Sequence, residues 1–352
     1  MSPYRLTRLG IVMAPEPGDP LEAEGVLNPA TGHTPDGRLH LLPRVVAAGN
    51  VSRVGLAEVV VEAGVPVGVE RRGIVLEPDL SWERGVNHAG VEDPRVTYLD
   101  RLGVHVMTYV AFGPLGPRIA VAVSRDLRSW QRLGPVLFGH EAEWGVDFNL
   151  YPNKDALFFP EPIPGPDGEP CYAMLHRPMW HADWLGVGDA LVPPAGIDER
   201  PGIWISYITE AAVDGDLRAL TVLRSHRCVA VGEFTFESTK IGGGPPPIRV
   251  PEGWLLIHHG VAGEVASGFD PTAPSSAVYC AGAMLLDADD PAKVLDRTAE
   301  PLLQPQTAAE QVGTVANVVF PTAIAAIGPR QFVFYGMADA RIGVAELERT
   351  VA

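Results

Sequence analysis

The sequence predicts an all-β fold, and more specifically a five-bladed β-propeller that occupies residues 1–352 as a single domain. Three observations support this prediction. Short apolar runs bounded by proline, glycine, aspartate and asparagine recur along the chain, which is typical of strands. Long helical periodicity is scarce. A composite unit recurs five times, at intervals of roughly 60–90 residues.

Each unit begins with a short polar segment that usually contains proline. An apolar strand carrying one or two polar residues follows about 13–17 residues later. The polar segments are Asn28–Ala30, Glu92–Arg95, Lys154–Glu161, Lys240–Pro245 and Asn317–Pro321. The strands that follow them are Leu39–Val46, Val104–Phe112, Cys171–Pro178, Trp254–Val261 and Gln331–Asp339. This spacing leaves room for one small antiparallel sheet per unit, and five such sheets in a ring form a propeller.

Segments between these strands complete the prediction. Arg118–Ser124 and Gly202–Ile208 have the composition of further strands. Asp287–Arg297 is rich in aspartate and predicts a solvated loop or one helical turn. The tail Gly343–Ala352 is expected to pair with an N-terminal strand and close the ring. Met179–Pro201 predicts an irregular insert that serves either as a lid or as an oligomer contact.

Composition limits the classes of function. The net charge is −16 and the sequence shows no basic stripe, which argues against binding to nucleic acid or to an anionic membrane. Cys171, Cys228 and Cys280 are scattered and lack metal-ligand spacing, so they predict buried, reduced thiols. No stretch has the length of a membrane span, and Met1–Pro15 lacks the apolar run of a signal peptide. We therefore expect a cytoplasmic protein.

The segment Gly90–Arg95 contains two adjacent acids and an arginine around a proline. Neighbouring side chains of an extended segment point in opposite directions. Glu92 and Asp93 are therefore expected to face opposite ways, whereas Asp93 and Arg95 face the same way. An acid held beside a cation at the mouth of a sheet can give or take a proton. The alternative is a turn with a surface ion pair.

Four basic residues occupy repeated positions in these units: Arg44, Lys154, Arg177 and His259. Equivalent positions of successive propeller blades converge on a central pocket. An acidic chain that brings four basic residues to one place is expected to bind an anion there. Two questions about individual side chains stay open. Tyr109 either lines the cleft or packs in the core, and only one of His258 and His259 can face the pocket.

Taken together, these segments resemble glycoside hydrolase family 130. The matching motifs occur in the family's order from about Asn28 to about Glu346, and comprise Gly90–Arg95, Lys154–Ala156, Phe159–Glu161, His176–Pro178, Lys240–Ile248, Gly253–Val261, Leu285–Asp287, Asp290–Pro291, Asn317–Pro321, Tyr335–Gly336 and Ala338–Asp339. Most members of this family are β-mannoside phosphorylases and some are β-mannosidases, on a five-bladed propeller. The resemblance therefore implies a glycosyl-transferring phosphorylase.

The resemblance also implies roles for individual residues. An inverting phosphorylase uses inorganic phosphate as the nucleophile and releases α-mannose 1-phosphate. Asp93 corresponds to the general acid, which acts directly or through a sugar hydroxyl. The implied phosphate ligands are Arg44, Lys154, Arg177 and His259. The implied mannose contacts are Arg95 and Asp339, with Asn28, Tyr109 and Tyr335 as further candidates. No metal or cofactor is expected, the partners are a β-mannosyl oligosaccharide and phosphate, and a homo-oligomer stays open.

Two other functions stay open. An inverting β-mannosidase needs a second carboxylate to activate water, for which Glu161 and Asp155 are the nearby candidates. A non-catalytic glycan-binding propeller is the third hypothesis, although it has no need for Asp93 with its set of cations. The loop Gly263–Ser276 lies at the predicted cleft edge and shapes the site for the leaving sugar. The linkage, 1→2 or 1→4, and the acceptor sugar are left undecided.

Overall fold

The computed structural model describes residues 3–85, 88–142, 145, 147–180, 193, 196–264 and 276–350. Within these residues the chain consists mainly of strands, with two short helices, α1 Glu210–Gly215 and α2 Ala308–Gln311. The predicted all-β class is confirmed. Most of the insert Met179–Pro201 and of the loop Gly263–Ser276 lies outside the described residues. None of the described helices is long and apolar enough to span a membrane.

The strands have the following bounds. The first nine are β1 Tyr4–Met13, β2 Gly25–His33, β3 Leu39–Ala47, β4 Val51–Glu62, β5 Val65–Leu76, β6 Ala89–Leu99, β7 Val104–Gly113, β8 Gly116–Ser124 and β9 Gln131–Pro135. The next six are β10 Leu137–Phe138, β11 Asn153–Phe158, β12 Ile163–Pro164, β13 Pro170–Pro178, β14 Ile203–Thr209 and β15 Val222–Ala230. The last eight are β16 Lys240–Gly243, β17 Ile248–Val250, β18 Gly253–Ala262, β19 Val278–Leu286, β20 Val294–Arg297, β21 Val319–Ile327, β22 Arg330–Met337 and β23 Arg341–Arg349.

These strands form five antiparallel meanders, which we call units 1 to 5. Unit 1 is β2-β3-β4-β5 and unit 2 is β6-β7-β8-β9. Unit 3 is β11-β13-β14-β15, with β12 and β10 at its margins. Unit 4 is β16-β18-β19-β20, with β17 also paired to β18. Unit 5 is β21-β22-β23-β1. Each predicted strand that follows a polar segment is therefore the second strand of its unit.

The two ends of the chain meet in unit 5. Strand β1 pairs antiparallel with β23, and Tyr4 lies opposite Arg349. This confirms the predicted pairing of the C-terminal tail with an N-terminal strand. The expectation for Asp287–Arg297 is partly wrong, because Val294–Arg297 forms β20 and pairs with the end of β19. The group of aspartates before it obscured this short outer strand in the sequence.

Five apolar cores lie between consecutive units. Units 1 and 2 share a core that contains Val54 and Met107, and units 2 and 3 share a core that contains Val121 and Phe158. Further cores join unit 3 to unit 4, unit 4 to unit 5, and unit 5 back to unit 1. Each sheet thus buries one face against the unit before it and the other against the unit after it. The succession of packed units is closed.

In each of four units, a buried glutamate pairs with an arginine and so connects strands of that unit. Each glutamate lies in the connection before the first strand of its unit and accepts a hydrogen bond or ion pair from an arginine on the outermost strand. We call these pairs Glu–Arg latches, and they are Glu22–Arg71, Glu83–Arg132, Glu237–Arg297 and Glu310–Arg8, at 2.7, 2.9, 2.8 and 2.8 Å. In three latches the backbone N–H groups three and four residues earlier also donate to the glutamate.

Unit 3 has a chain of hydrogen bonds where the other units have a latch. His226 Nε2 lies 2.8 Å from the carbonyl oxygen of Gly139, so this nitrogen must carry a proton. His226 Nδ1 then accepts from Ser206, whose Oγ lies 2.8 Å away. Ser206 Oγ in turn accepts from His176 Nε2, also at 2.8 Å. Burial lowers the pKa of both histidines, so both are neutral and this direction of donation is fixed.

Candidate active site

Three polar residues occupy the same position on the first strands of units 1, 2 and 3. Asn28, Asp93 and Asp155 have φ angles of 41°, 45° and 53°, and each sits at a shift of register that marks a β-bulge. This left-handed backbone is uncommon for residues other than glycine, but asparagine and aspartate tolerate it. The bulge turns these three short polar side chains toward a common region.

Three basic residues occupy equivalent positions on the second strands of units 1, 3 and 4, although burial lowers the pKa of His259 well below its usual range. Arg44 lies opposite Leu27, Arg177 opposite Lys154, and His259 opposite Gly242. In units 1 and 3 the partner residue comes directly before the bulge residue. We call the assembled group the polar cluster, and it comprises Asn28, Arg44, Glu92, Asp93, Arg95, Lys154, Asp155, Arg177 and His259. The four sequence-predicted phosphate ligands all belong to it.

Asp93 is surrounded by donors from units 1 and 3. Asn28 Nδ2 donates to its Oδ1 at 2.8 Å, and Arg44 Nη1 donates to the same oxygen at 3.1 Å. Lys154 Nζ lies 3.6 Å from Oδ2. Burial alone would raise the pKa of Asp93, but the positive charges and the Asn28 hydrogen bond lower this pKa well below its usual range. Asp93 is therefore ionised in the ligand-free protein.

Glu92 and Asp93 face the same arginine, which corrects the expectation that they point in opposite directions. Arg44 Nη2 donates to Glu92 Oε1 at 2.8 Å, while its Nη1 donates to Asp93. The alternation of side chains holds only for regular extended backbone. The left-handed conformation of Asp93 interrupts this alternation between Glu92 and Arg95.

Asp155 joins Arg177 to His259. Arg177 Nε donates to Asp155 Oδ2 at 2.6 Å, and His259 Nε2 lies 3.5 Å from the same oxygen. Burial raises the pKa of Asp155, but Arg177 and then His259 oppose this effect and lower the pKa overall, far below its usual range. Within the described residues, Arg177 Nη1, Asp155 Oδ1 and both ring nitrogens of His259 are buried without a hydrogen-bond partner. Such atoms are costly unless a ligand binds them.

The structure distinguishes the two adjacent histidines of β18. His258 Nε2 lies 2.6 Å from Glu237 Oε1, so His258 faces the latch of unit 4. His259 faces Asp155 and packs against the ring of Phe320, with 4.4 Å between the centroids. Regular strand alternation explains this division, because β18 has no register shift in its pairing with β19.

Arg95 belongs to the polar cluster, and Asp339 lies close to it. Arg95 Nη1 donates to the backbone oxygen of Asp93 at 2.9 Å and its Nε donates to that of Gly244 at 2.7 Å. Its Nη2 is buried and, among the described residues, has no partner. Burial, together with the negative charges of Asp93 and Glu92, raises the pKa of Asp339 to about 6, against the influence of Arg44 and Lys154.

Tyr109 and Tyr335 do not present their hydroxyls to the polar cluster, which corrects their assignment as substrate contacts. Tyr109 donates to the latch residue Glu83 at 2.7 Å, and Tyr335 donates to the latch residue Glu310 at 3.0 Å. Both rings belong to the apolar cores between units. His258 occupies the corresponding position in unit 4. Successive side chains of a strand point in opposite directions. A residue next to a member of the polar cluster therefore points toward the latch.

Lys240 and Tyr279 were not identified as site residues from the sequence. Lys240 Nζ lies 5.4 Å from the centroid of the Tyr279 ring, and the Tyr279 and His259 rings are stacked with their centroids 6.5 Å apart. Burial raises the pKa of Tyr279, so its hydroxyl keeps its proton. The motif Lys240–Ile248 was a usable signal for Lys240, whereas nothing in the sequence marks Tyr279 on a third strand.

The structure also gives the positions of Glu161 and of the three cysteines. Glu161, one of the two candidate bases, is exposed and next to Pro160. Pro160 lines a separate cavity of about 620 Å³ that contains none of the polar cluster.

Cys171 and Cys280 are buried, but Cys228 is exposed, so the expectation of burial is wrong for that residue. Among the described residues, no three His, Cys, Asp or Glu side chains are grouped to hold a metal ion.

The chain of hydrogen bonds in unit 3 extends to residues adjacent to two members of the polar cluster. Asn153 Nδ2 lies 3.0 Å from His176 Nδ1, and this nitrogen accepts because His176 Nε2 carries the proton. Asn153 and His176 directly precede Lys154 and Arg177 on paired strands. The chain thus fixes the backbone from which both cations extend.

The chain is similar to proteins of known activity over nearly its whole length. Residues 16–351 match the family model Glyco_hydro_130, described as β-1,4-mannooligosaccharide phosphorylase. A 1,2-β-oligomannan phosphorylase of Thermoanaerobacter sp. (strain X514) is 31% identical over 342 residues, which cover 96% of this chain and 94% of that protein. A β-1,4-mannooligosaccharide phosphorylase of Ruminococcus albus is 44% identical over 276 residues, with coverage of 77% and 67%.

A solved structure shares the fold. The β-1,2-mannobiose phosphorylase of Listeria innocua, in complex with β-1,2-mannobiose, superposes with a TM-score of 0.70. The alignment covers 99% of this chain and 97% of that chain, at 21% sequence identity. This degree of identity supports a common fold.

Proposed function

This chain belongs to glycoside hydrolase family 130, and we propose that it catalyses the inverting phosphorolysis of β-mannosides. A β-mannosyl oligosaccharide and phosphate would give α-mannose 1-phosphate and a shortened sugar. The observation that carries this proposal is the convergence of Arg44, Lys154, Arg177 and His259 around two buried aspartates, with donors left unpaired. Because the product is a charged sugar phosphate, this activity fits the cytoplasmic location expected from the sequence.

We also propose the architecture that brings these residues together. The closed succession of five packed units, with one core at each junction, supports a single five-bladed propeller domain. The recurrence of the Glu–Arg latch in four units supports the same repeat. In this arrangement the bulges of the first strands face the central axis, and Asn28, Asp93 and Asp155 line one mouth of it.

Phosphate would bind to the cationic side of the polar cluster. Arg177 Nη1 and the ring nitrogens of His259 are buried donors or acceptors without a partner in the described part of the chain. Lys154 is partly exposed and contributes a mobile positive charge. Phosphate is already an anion, so the reaction needs it positioned below the anomeric carbon rather than deprotonated by a base.

Asp93 is the proposed general acid, and it must gain a proton before it can act. In the ligand-free protein the pKa of Asp93 is lowered, mainly because Arg44 and Lys154 outweigh its burial. Bound phosphate places negative charge beside Lys154 and offsets part of this effect. The pKa of Asp93 then rises, so the acid becomes protonated when the nucleophile is in place. This coupling ties protonation of the leaving oxygen to the presence of phosphate.

The mannose ring would occupy the space between Asp93 and Asp339. Two buried polar atoms are available there, Arg95 Nη2 and Asn28 Oδ1, neither of which has a partner among the described residues. Sugar hydroxyls both donate and accept hydrogen bonds, so they match one unpaired donor and one unpaired acceptor. Asp339, with a pKa of about 6, accepts from a hydroxyl when it is ionised.

The alternative of an inverting β-mannosidase is less well supported by the polar cluster. A water-activating base must be able to accept a proton near neutral pH. Asp155 is held by Arg177 at 2.6 Å and its pKa is lowered, so it is a weak base. Glu161, the other candidate, is exposed.

The test compares β-1,2- and β-1,4-mannobiose, each with and without phosphate. We expect mannose 1-phosphate to appear only when phosphate is present, and its configuration to be α by phosphorus and proton NMR. Release of mannose at the same rate without phosphate would establish the hydrolase instead. Binding of both sugars without turnover under either condition would favour a glycan-binding protein.

A further inference from the structure

A second cavity lies at the opposite end of the first strands from the polar cluster. It has a volume of about 620 Å³, and all five units contribute residues to its lining. Thr31 of the lining follows the bulge residue Asn28 on β2, and Val96 follows the bulge residue Asp93 on β6. Each residue of a strand adds about 3.3 Å, so the lining begins about 10 Å beyond the bulges. We call this space the strand-end cavity.

The titratable groups in the lining of the strand-end cavity are basic, apart from one tyrosine. They are Arg125, Arg249, His33 and His105, and no aspartate or glutamate of the described chain lines the cavity. Clefts lined by one sign of charge concentrate ions of the opposite sign. The net charge of the whole chain is −16, so this basic lining is a local exception that favours an anionic ligand.

The guanidinium groups of both arginines keep donors for a ligand. Arg125 and Arg249 are exposed, and within the part of the chain that the structure describes neither forms an ion pair with a carboxylate. Arg249 donates to the carbonyl oxygen of Ala288 at 3.3 Å and lies over the ring of Trp254, at 5.0 Å from the centroid. Arg125 is followed by Asp126, whose Oδ1 already accepts hydrogen bonds from backbone N–H groups of its own turn.

His105 presents a buried nitrogen to the same lining. The residue is 4% exposed, and its Nδ1 is buried and has no hydrogen-bond partner among the described residues. Burial lowers the pKa of His105 to about 4, although a hydrogen bond with the backbone of His33 opposes this effect. The His105 ring lies against that of Tyr98, with 4.8 Å between the centroids, and Tyr98 is 47% exposed. An unpaired buried nitrogen is costly unless a ligand binds it, so the pair offers one polar and one apolar contact.

The lining has few groups suited to the hydroxyls of a sugar. The hydroxyls of Thr31, Thr34 and Thr97 each donate to another group of the protein, at 2.8, 2.5 and 3.1 Å. Gln331 supplies the one amide side chain of the lining in the described residues. Much of the remaining wall is apolar and includes residues 246–248 of unit 4, two of which are prolines. The polar recognition therefore falls to the basic side chains.

We propose that the strand-end cavity binds a small organic anion, whose charged group pairs with Arg125 and Arg249 and whose apolar body packs against Tyr98 and the prolines of unit 4. The cavity volume is within the range of about 300–1,000 Å³ that is usual for small-molecule sites. The basic residues select for charge, and the apolar wall selects for an organic body. No member of the polar cluster lines the cavity, so this inference does not depend on the proposed phosphorolysis.

A fluorescent organic anion tests the site directly. The probe 8-anilinonaphthalene-1-sulfonate has a sulfonate and an aromatic body, and its fluorescence rises in apolar surroundings. The amine N-phenyl-1-naphthylamine has the same aromatic body without the charge. We expect the wild-type protein to bind both probes, and to bind the sulfonate at a single saturable site. Comparison of the two probes isolates the contribution of the arginines from that of the apolar wall.

Two double variants separate a specific contact from a general loss of charge. Arg125→Ala with Arg249→Ala should raise the dissociation constant of the sulfonate by at least about tenfold and leave that of the amine nearly unchanged. Arg128→Ala with Arg218→Ala removes the same charge from two exposed residues outside the cavity, so its affinity for both probes should match that of the wild type. Thermal unfolding of each variant confirms that it is folded.

Two single variants locate the probe. Ala326→Trp places a large ring in the lining and should remove the saturable binding of both probes. Arg177→Ala changes the polar cluster and should bind the sulfonate as the wild type does.

Unchanged sulfonate affinity in Arg125→Ala with Arg249→Ala would overturn the inference, and so would equal weakening in both double variants. A loss of sulfonate affinity in Arg177→Ala would place the probe at the polar cluster and would also overturn it. Because every readout is probe fluorescence, an absence of phosphorolysis would overturn the proposed function and leave this inference intact.

Discussion

The ammonium of Lys154 lies 3.6 Å from Asp93 Oδ2, across the boundary between unit 3 and unit 2. Lys154 is also the cross-strand partner of Arg177, which is bound to Asp155. One lysine therefore connects the proposed acid with the proposed phosphate site. Any change in charge on one side is transmitted to the pKa of the other, since both aspartates are buried.

Asp93→Asn should lower the turnover number by about two to four orders of magnitude. The amide has nearly the same shape, and its oxygen can still accept from Asn28 and Arg44, so the fold should be kept. The measurement is the rate of mannose 1-phosphate formation at saturating substrates, with thermal unfolding as the control for folding. A variant that retains near-normal turnover would remove Asp93 from the role of acid.

Arg177→Ala should raise the Michaelis constant for phosphate by about 10- to 100-fold, because hydrogen bonds to a charged ligand are lost. The Michaelis constant for the mannoside should change much less. Arg227→Ala is the matched control, since Arg227 lies on the same sheet but pairs with Asp290 at the surface. Steady-state kinetics with phosphate varied give both constants. An unchanged phosphate dependence in Arg177→Ala would place phosphate elsewhere.

Asp339→Asn should stabilise the protein above about pH 6 while lowering its activity. The folded-state pKa of Asp339, about 6, is above its ordinary value of 3.8. The folded state therefore holds this proton more tightly, and the resulting contribution to stability is lost as the pH rises through about 6. A neutral asparagine avoids that loss, which is on the order of 3 kcal/mol for this difference in pKa.

Chemical unfolding of wild type and Asp339→Asn at several pH values checks this prediction. The two proteins should have similar free energies of unfolding below about pH 4, where Asp339 is protonated in both states. The difference should develop between about pH 4 and pH 6 and then stay constant. A variant that is less stable than the wild type at pH 8 would show that the charge of Asp339 is compensated in the folded protein.

Glu237→Ala should lower the free energy of unfolding by about 3–5 kcal/mol, because it leaves Arg297 and two backbone N–H groups of a buried latch without their acceptor. Glu233→Ala is the control. Glu233 reaches the same arginine at 3.2 Å but is mostly exposed, so its loss should cost about 0–1 kcal/mol. Equal losses in the two variants would show that the latch contributes no more than a surface ion pair.

The repeat could be predicted because each unit carries its own local signals. Alternating apolar residues identify strands such as Val104–Gly113, and proline or glycine marks the ends of such strands. The spacing of Arg44, Arg177 and His259 along these strands was enough to predict equivalent positions for all three, and the strand pairing agrees. Their roles came from the resemblance to a family, since spacing alone does not specify a ligand.

Side-chain direction could not be predicted at two kinds of position. The bulge at Asp93 reverses the local alternation, so Glu92 and Asp93 meet the same arginine. Tyr109 and Tyr335 are polar aromatic residues on strands of the kind that carry the site residues. Their hydrogen-bond partners, however, are latch glutamates from connections that carry no strong sequence signal. Both errors arise because strand alternation is a property of regular backbone and the partners are distant in sequence.

The sequence by itself determined the strand-rich units, their order and which residues stand at the repeated polar positions. It did so because strand propensity and turn formation depend on residues close together along the chain. Only the tertiary structure decided which of those side chains meet and which charges they carry. Burial and neighbouring charges lower the pKa of Asp93, raise that of Asp339 and bring that of Lys240 near neutrality, and these effects depend on contacts between units.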